Sequence, residues 1–255
     1  MIGAWLKYIL QRVGPSGVHS PFVFDFCNNV LAKARDFDDE AISTLRATLK
    51  KDRSVLEVRD FGAGSKSMLG NERTVHSIAA HSSVSPKFGK LLATIVRRYE
   101  IKSSIELGTS LGIGAAYLGS ASENNKVVSF EGCPNTALLA VKNLKEIGLS
   151  NIQVTVGAFE ELLKTEVSSD QKFDLIFIDG NHRLEPTLNY FHFFLNHSHD
   201  SSFLVFDDIH WSPEMEICWS QIVASPEVSV TMDLFRMGIA IKRKGQTKEH
   251  FVLKF

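Results

Sequence analysis

SIELGTSLGIGAAYL, residues 104–118, runs from an apolar, strand-like segment through an acid into a glycine-bearing turn and out into a helix-like segment. Glu106, Gly108 and Gly112 make the pattern E-x-G-x-x-x-G, whose second glycine is displaced from the G-x-G-x-x-G of dinucleotide-binding folds. Gly108 permits a backbone angle that other residues resist, and Gly112 lets the chain pass close to a ligand before a helix starts. About twenty residues further on, VVSFEG ends a second strand and puts Glu131 where an acid accepts hydrogen bonds from a ribose diol. Together these features imply a nucleoside ligand.

Working outward, short β-rich runs at 104–107, 126–130, 152–156, 173–178, 203–206, 228–232 and 238–242 alternate with helical runs. Such alternation gives a parallel sheet with helices on both faces, joined by right-handed crossovers. The last two runs are separated by only a few residues around Phe235 and Arg236, too short for a crossover, so they are read as a hairpin. The expected fold is α/β: a Rossmann-like, doubly wound, seven-stranded sheet with an antiparallel terminal hairpin, its ligands beyond the carboxyl ends of the strands. Before Glu100 the pattern is helical, at 2–13, 21–34, 40–50 and 87–99. Residues 1–84 are therefore expected to form an N-terminal helical extension or cap, and 85–255 the α/β domain. In the first helix Ile2, Trp5, Leu6, Ile9, Leu10 and Val13 form one apolar stripe, read as a packing face within the protein or a dimer contact.

With 255 residues and 44% hydrophobic content the chain can bury a full core. A formal charge of −1 provides no basic field for duplex nucleic acid, so nucleic acid is not an expected partner. The three cysteines, Cys27, Cys133 and Cys218, are far apart and lack metal-ligand spacing, which fits a reduced, cytoplasmic protein. Lys7 and Arg12 interrupt the N-terminal apolar residues, so neither a membrane span nor a signal-peptide core is expected there.

Two later strand ends are rich in ligating groups. DLIFIDGNHRLEP carries Asp179 and His182, and FLVFDDIHWSPEM carries Asp207, Asp208 and His210. Ser212, Pro213 and Glu214 already make a good helix start, which leaves the acids for other work. Three converging carboxylates repel one another unless a cation, a proton or basic neighbours compensate. A hard divalent ion such as Mg²⁺ or Ca²⁺ takes such oxygen ligands, making Asp179, Asp207 and Asp208 a candidate metal set. His182 or His210 is the expected proton acceptor, since an unperturbed histidine titrates near pH ~6.5.

On these motifs, residues 85–242 resemble the class I S-adenosylmethionine-dependent methyltransferases. The resemblance implies that Glu106, Gly108, Thr109, Ser110 and Gly112 cradle the methionine part of the cofactor and that Glu131 holds its ribose. It also implies that Ala158, Phe159 and Glu160 face its adenine and that Asp179 lies near the methyl group. The acidic strand ends are similar to those of the catechol and caffeoyl-CoA O-methyltransferases, with Asp208 in place of an asparagine. Asn181 and His182 stand where those enzymes carry a lysine, a departure that points toward sugar- and small-metabolite-type relatives. The activity implied is S-adenosylmethionine-dependent O-methylation of a small hydroxylated metabolite, with divalent-metal assistance and a homodimer as expectations. Rival readings are metal-independent N- or protein methylation, a catalytically silent cofactor-binding scaffold, and a dinucleotide-dependent oxidoreductase. A second glycine-bearing stretch, VLEVRDFGAGSKS at 55–67, is rejected as the cofactor loop because polar residues follow it and no strand ending in an acid arrives at the right distance. It is read instead either as a strand and loop over the active site or as a plain structural loop.

Overall fold

The structure is a computed structural model that describes residues 2–58 and 72–255. The glycine-bearing loop expected at 60–67 lies outside the described residues. The chain forms two compact units, Met1–Lys33 together with Asp170–Phe255, and Ala34–Ser169.

The N-terminal segment holds α1 (Ile2–Gln11) and α2 (Pro21–Phe26). In α1 the buried anchor is Tyr8, whose hydroxyl donates to the Leu253 carbonyl at 2.6 Å. Trp5, Leu6 and Leu10 of the apolar stripe stay exposed, so they do not form a packing face within this unit. Ser20 caps α2, but the single helix expected over 21–34 widens into a π turn at Cys27–Leu31. There the Asn28 amide donates to the Phe24 carbonyl at 3.0 Å and the Asn29 amide to Asp25 at 2.6 Å. Short amide side chains of this kind compete with the helical ladder.

The middle unit begins with α3 (Glu40–Leu49), a two-stranded antiparallel pair β1 (Val55–Glu57) and β2 (Glu72–Thr74), α4 (Val75–His81) and α5 (Pro86–Arg98). Alternation follows: β3 (Ser103–Leu107), α6 (Ile113–Ser120), β4 (Lys126–Glu131), α7 (Pro134–Glu146), β5 (Ile152–Val156) and α8 (Phe159–Thr165). The strands β3, β4 and β5 are parallel neighbours, with Ile105 opposite Val128 and Val128 opposite Gln153. Their carboxyl ends therefore share one edge.

The terminal unit continues with β6 (Phe173–Ile178), α9 (Leu184–Asn196), β7 (Ser198–Phe206), α10 (Pro213–Ala224), β8 (Val230–Asp233), β9 (Gly238–Ile241) and β10 (Glu249–Val252). β6 and the 203–206 end of β7 are parallel and nearly all buried, as continuous apolar runs covered on both faces should be, whereas His199, Asp200 and Ser201 at the start of β7 are exposed. The expected hairpin is present: β9 is antiparallel to both β7 and β8. Among the described residues, and besides the β1–β2 pair, there are eight strands rather than seven. The additional one, β10, is a four-residue strand that pairs in parallel with β8, and flanking bonds join the Val13 backbone to Val252 and Lys254. β8 and β9 are equally short but buried throughout, whereas β10, with the sequence EHFV, is only partly covered and carries no bounded apolar run to mark it.

Candidate active site

At the carboxyl edge of β3–β5, the chain leaves β3 through a turn in which Gly108 (φ 108°), Ser110 (φ 49°) and Gly112 (φ 86°) all adopt positive angles. Gly112 opens α6, and a Cβ there would meet Leu144 at 3.2 Å and Ala140 at 3.4 Å. The turn is tied to β4 by the Gly108 and Thr109 amides, which donate to the Phe130 carbonyl at 2.9 and 3.2 Å. It is tied again by the Glu131 carboxylate, which accepts from the Ser110 amide at 2.8 Å and from the Cys133 amide at 2.9 Å. Glu131 is thus pre-oriented at the strand end by two backbone donors. Ala158, the N-cap residue of α8, and Phe159 and Glu160 in its first turn follow β5, whose Val156 pairs with Glu131. The glycine turn, Glu131 and the 158–160 segment therefore lie at three adjacent strand ends.

Glu106 and Thr109 face inward. Ser129 donates to Glu106 Oε2 and shares a 2.5 Å bond with the Thr109 hydroxyl, and all three residues are buried. Glu106 Oε1 is buried with no hydrogen-bond partner. Burial pushes the Glu106 carboxyl up to about 8 from an ordinary 4.5; the Glu131 charge acts in the same direction and the Ser129 bond against it. Glu106 supports the turn from beneath, as a neutral acid at neutral pH.

The consequence for stability has a definite sign. Between pH 4.5 and 8 the folded state keeps a proton on Glu106 that the unfolded chain has released, so this residue makes stability fall as pH rises across that window. Glu106→Gln removes the titration. Melting curves across the window should show the variant gaining on the parent as pH rises, and identical pH slopes would exclude a buried, proton-holding Glu106.

In the terminal unit, Asp179 follows β6, and the His182 ring lies beside it with Nε2 3.8 Å from Asp179 Oδ1. Asp207 and Asp208 follow β7. Because β9 runs antiparallel to β7, with Gly238 opposite Phe206, the β8–β9 turn brings Arg236 to the same strand end. The Arg236 Nε donates to Asp207 Oδ1 and Oδ2 at 3.2 and 3.3 Å, and Nη2 donates to Oδ2 at 3.0 Å. Nε also lies 3.4 Å from Asp208 Oδ1. Burial and the Asp207 charge raise the Asp208 carboxyl above its ordinary range, while Arg236 and His182 oppose that shift.

His210 is engaged elsewhere. Its Nε2 lies 2.8 Å from Asp233 Oδ2, its ring stacks on Phe235 at 5.3 Å, and its buried Nδ1, 3.8 Å from Glu216 Oε1, has no hydrogen-bond partner among the described residues. Of the two candidate bases, His182 is the one placed beside Asp179.

These donors do not suit a divalent ion. Both Asp207 oxygens face the Arg236 guanidinium. Among the described residues, no three His, Cys, Asp or Glu side chains gather into a metal-holding group. A basic neighbour, Arg236, supplies charge compensation to Asp207 and Asp208. Sequence reading missed Arg236 as a site residue, and its one local sign is an arginine in a tight turn after Asp233.

Residues 105–209 match the family described as a methyltransferase domain. The O-methyltransferase imqG of Aspergillus flavus is 29% identical over 133 residues, covering 50% of this chain and 53% of that protein. The chain spans about half the length of the curated relatives it matches, 53% and 48%. Among solved structures, the O-methyltransferase TomG from Streptomyces achromogenes, in complex with SAM, has a TM-score of 0.60 at 18% identity, covering 85% of this chain and 96% of that one. A Bacillus cereus O-methyltransferase in complex with SAH has a TM-score of 0.59 at 19% identity, covering 81% and 92%. This likeness confirms the Rossmann-like α/β fold class. No described helix is long and apolar enough to cross a membrane.

Proposed function

We propose that this chain is an S-adenosylmethionine-dependent O-methyltransferase acting on a small hydroxylated metabolite. The observation that carries the reading is the glycine turn locked to Glu131 at the carboxyl edge of β3–β5. It combines a close backbone approach with a fixed carboxylate acceptor, as a neutral adenosine with a free ribose diol requires.

In this reading the backbone of Gly108, Ser110 and Gly112 receives the methionine part of the cofactor, Glu131 the ribose, and Ala158, Phe159 and Glu160 the adenine. Bound S-adenosylmethionine would supply an electrophilic methyl group on a sulfonium. His182 takes the acceptor's hydroxyl proton at Nε2 as the oxygen attacks, and Asp179 stabilises the resulting imidazolium. Fixing the acceptor oxygen beside that base lowers the entropic part of the barrier. No step is assigned to a metal. Residues 85–255 carry the chemistry, and residues 1–84 shape acceptor selection; in support, Tyr8 of α1 packs on Phe235, next to Arg236, at 5.3 Å.

Calorimetric titration with S-adenosylmethionine and S-adenosylhomocysteine tests the cofactor assignment. Micromolar binding is expected, and no binding of either would end the methyltransferase reading. Against a panel of phenols, catechols and sugar hydroxyls, His182→Gln should lower kcat by roughly 10²- to 10⁴-fold while leaving S-adenosylhomocysteine affinity unchanged. Full turnover in the variant would exclude His182 as the base.

A further inference from the structure

We infer that Arg236 is the resident cation of the strand-end acids Asp207 and Asp208, and that this chain works without a divalent metal there. The catalytic consequence rests on the methyltransferase reading, whereas the charge pairing stands on its own geometry.

The Asp207 side chain is fully buried. A buried carboxylate is tolerated only when paired and hydrogen-bonded. Arg236 meets both conditions with three contacts between 3.0 and 3.3 Å, using the planar fork that suits a guanidinium to a carboxylate. The same Nε reaches Asp208, and the charge of Asp179 also acts on this guanidinium. One cation thus pairs with two acids, Asp207 and Asp208.

The backbone fixes this pairing. The Ile209 amide donates to the Arg236 carbonyl at 3.1 Å, and the Asp207 amide donates to Ile178 on the neighbouring strand at 3.0 Å. Within the turn, the Leu234 amide donates to Met237 at 2.9 Å and the Phe235 amide to Asp233 Oδ1 at 2.7 Å, with Phe235 at φ 69°. Arg236 is consequently delivered to Asp207 by a constrained turn.

A divalent ion needs carboxylate oxygens at about 2.0–2.6 Å. On Asp207 it would compete for oxygens already bonded to the guanidinium and would face that positive charge at short range. Arg236 therefore acts as a positioning residue: it holds Asp207 and Asp208 in place without contacting the reacting atoms.

The test is a Mn²⁺ titration of the S-adenosylhomocysteine-saturated full chain, followed by electron paramagnetic resonance, with melting temperatures in Mg²⁺, Ca²⁺ and a chelator. No uptake below millimolar Mn²⁺, or uptake that Asp207→Asn leaves unaltered, is expected, along with a melting temperature indifferent to metal and chelator. Micromolar uptake abolished by Asp207→Asn would overturn the inference. Arg236→Gln should lower the melting temperature and gain Mn²⁺ uptake with stabilisation by Mg²⁺; a variant that does neither argues equally against it. Should that variant not fold, Arg236→Lys retains the charge without the fork. It should fold with a lowered melting temperature and still exclude Mn²⁺, and Mn²⁺ uptake by it would overturn the inference. Failure of the parent protein to bind S-adenosylhomocysteine would sink the methyltransferase reading alone, because the metal titration of the unliganded chain still decides the role of Arg236.

Discussion

Glu131→Ala is expected to weaken S-adenosylhomocysteine binding by about 1–3 kcal/mol, roughly fivefold to 150-fold in Kd. Two losses act together. The direct one is the acceptor for the ribose hydroxyls, whose hydrogen bonds to a carboxylate are charge-assisted and stronger than neutral ones. The indirect one is the anchor of the turn, since the Ser110 and Cys133 amides both donate to this side chain at under 3 Å. Glu131→Gln separates them in part: the amide keeps one acceptor oxygen but presents a donor to one of the two amides. It should bind more weakly than the parent and more tightly than the alanine variant. Calorimetry on both variants, with circular dichroism to confirm folding, checks the ordering. Unchanged affinity in a folded Glu131→Ala protein would remove Glu131 from the site.

The largest stability effect is expected from Gly89→Ala in α5. A Cβ at this position would lie 2.2 Å from both Cδ2 and Cε2 of Tyr117. The Tyr117 ring is fully buried, and its hydroxyl donates to Asp39 Oδ2 at 2.6 Å, so it is tethered at its far end. Asp39 is in turn held by Lys90 at 3.0 Å, which leaves the ring little room to withdraw. Overpacking of this kind costs about 1–3 kcal/mol, and more where nothing yields. In a chain of this size that lowers Tm by roughly 2–4 °C per kcal/mol. Tyr117 belongs to α6, the helix that leaves the glycine turn, so the same contact holds that segment against α5. Tyr117→Leu in the Gly89→Ala background should recover part of the loss, as contacting residues are not additive. A Gly89→Ala protein with the parent's Tm would show that α5 and α6 pack less tightly than described.

The glycine turn and its partner acid were legible in the sequence because their requirements are local. Positive backbone angles at Gly108 and Gly112 are written as glycines, β3, β4 and β5 as apolar runs, and Glu131 as the acid that ends the second strand. The same locality made 173–178 and the terminal hairpin readable. It gave no sign that α2 would widen into a π turn, nor that the four residues of β10 would pair with β8.

The far strand ends show where local reading stops. Sequence alone placed Asp179, His182, Asp207, Asp208 and His210 near the ends of two strands, and it stated that three carboxylates need compensation. Which cation supplies it depends on β9 running antiparallel to β7, a pairing that carries Arg236 across 29 residues of sequence to Asp207. The choice between the histidines has the same origin, since Asp233 reaches His210 from 23 residues away in the β8–β9 hairpin. Glu106 was recognised as part of the motif, but its inward orientation follows from Ser129 on the adjacent strand. Residue type and local spacing fix backbone angles and strand periodicity, whereas a charge takes its partner from whichever element the strand pairing sets beside it.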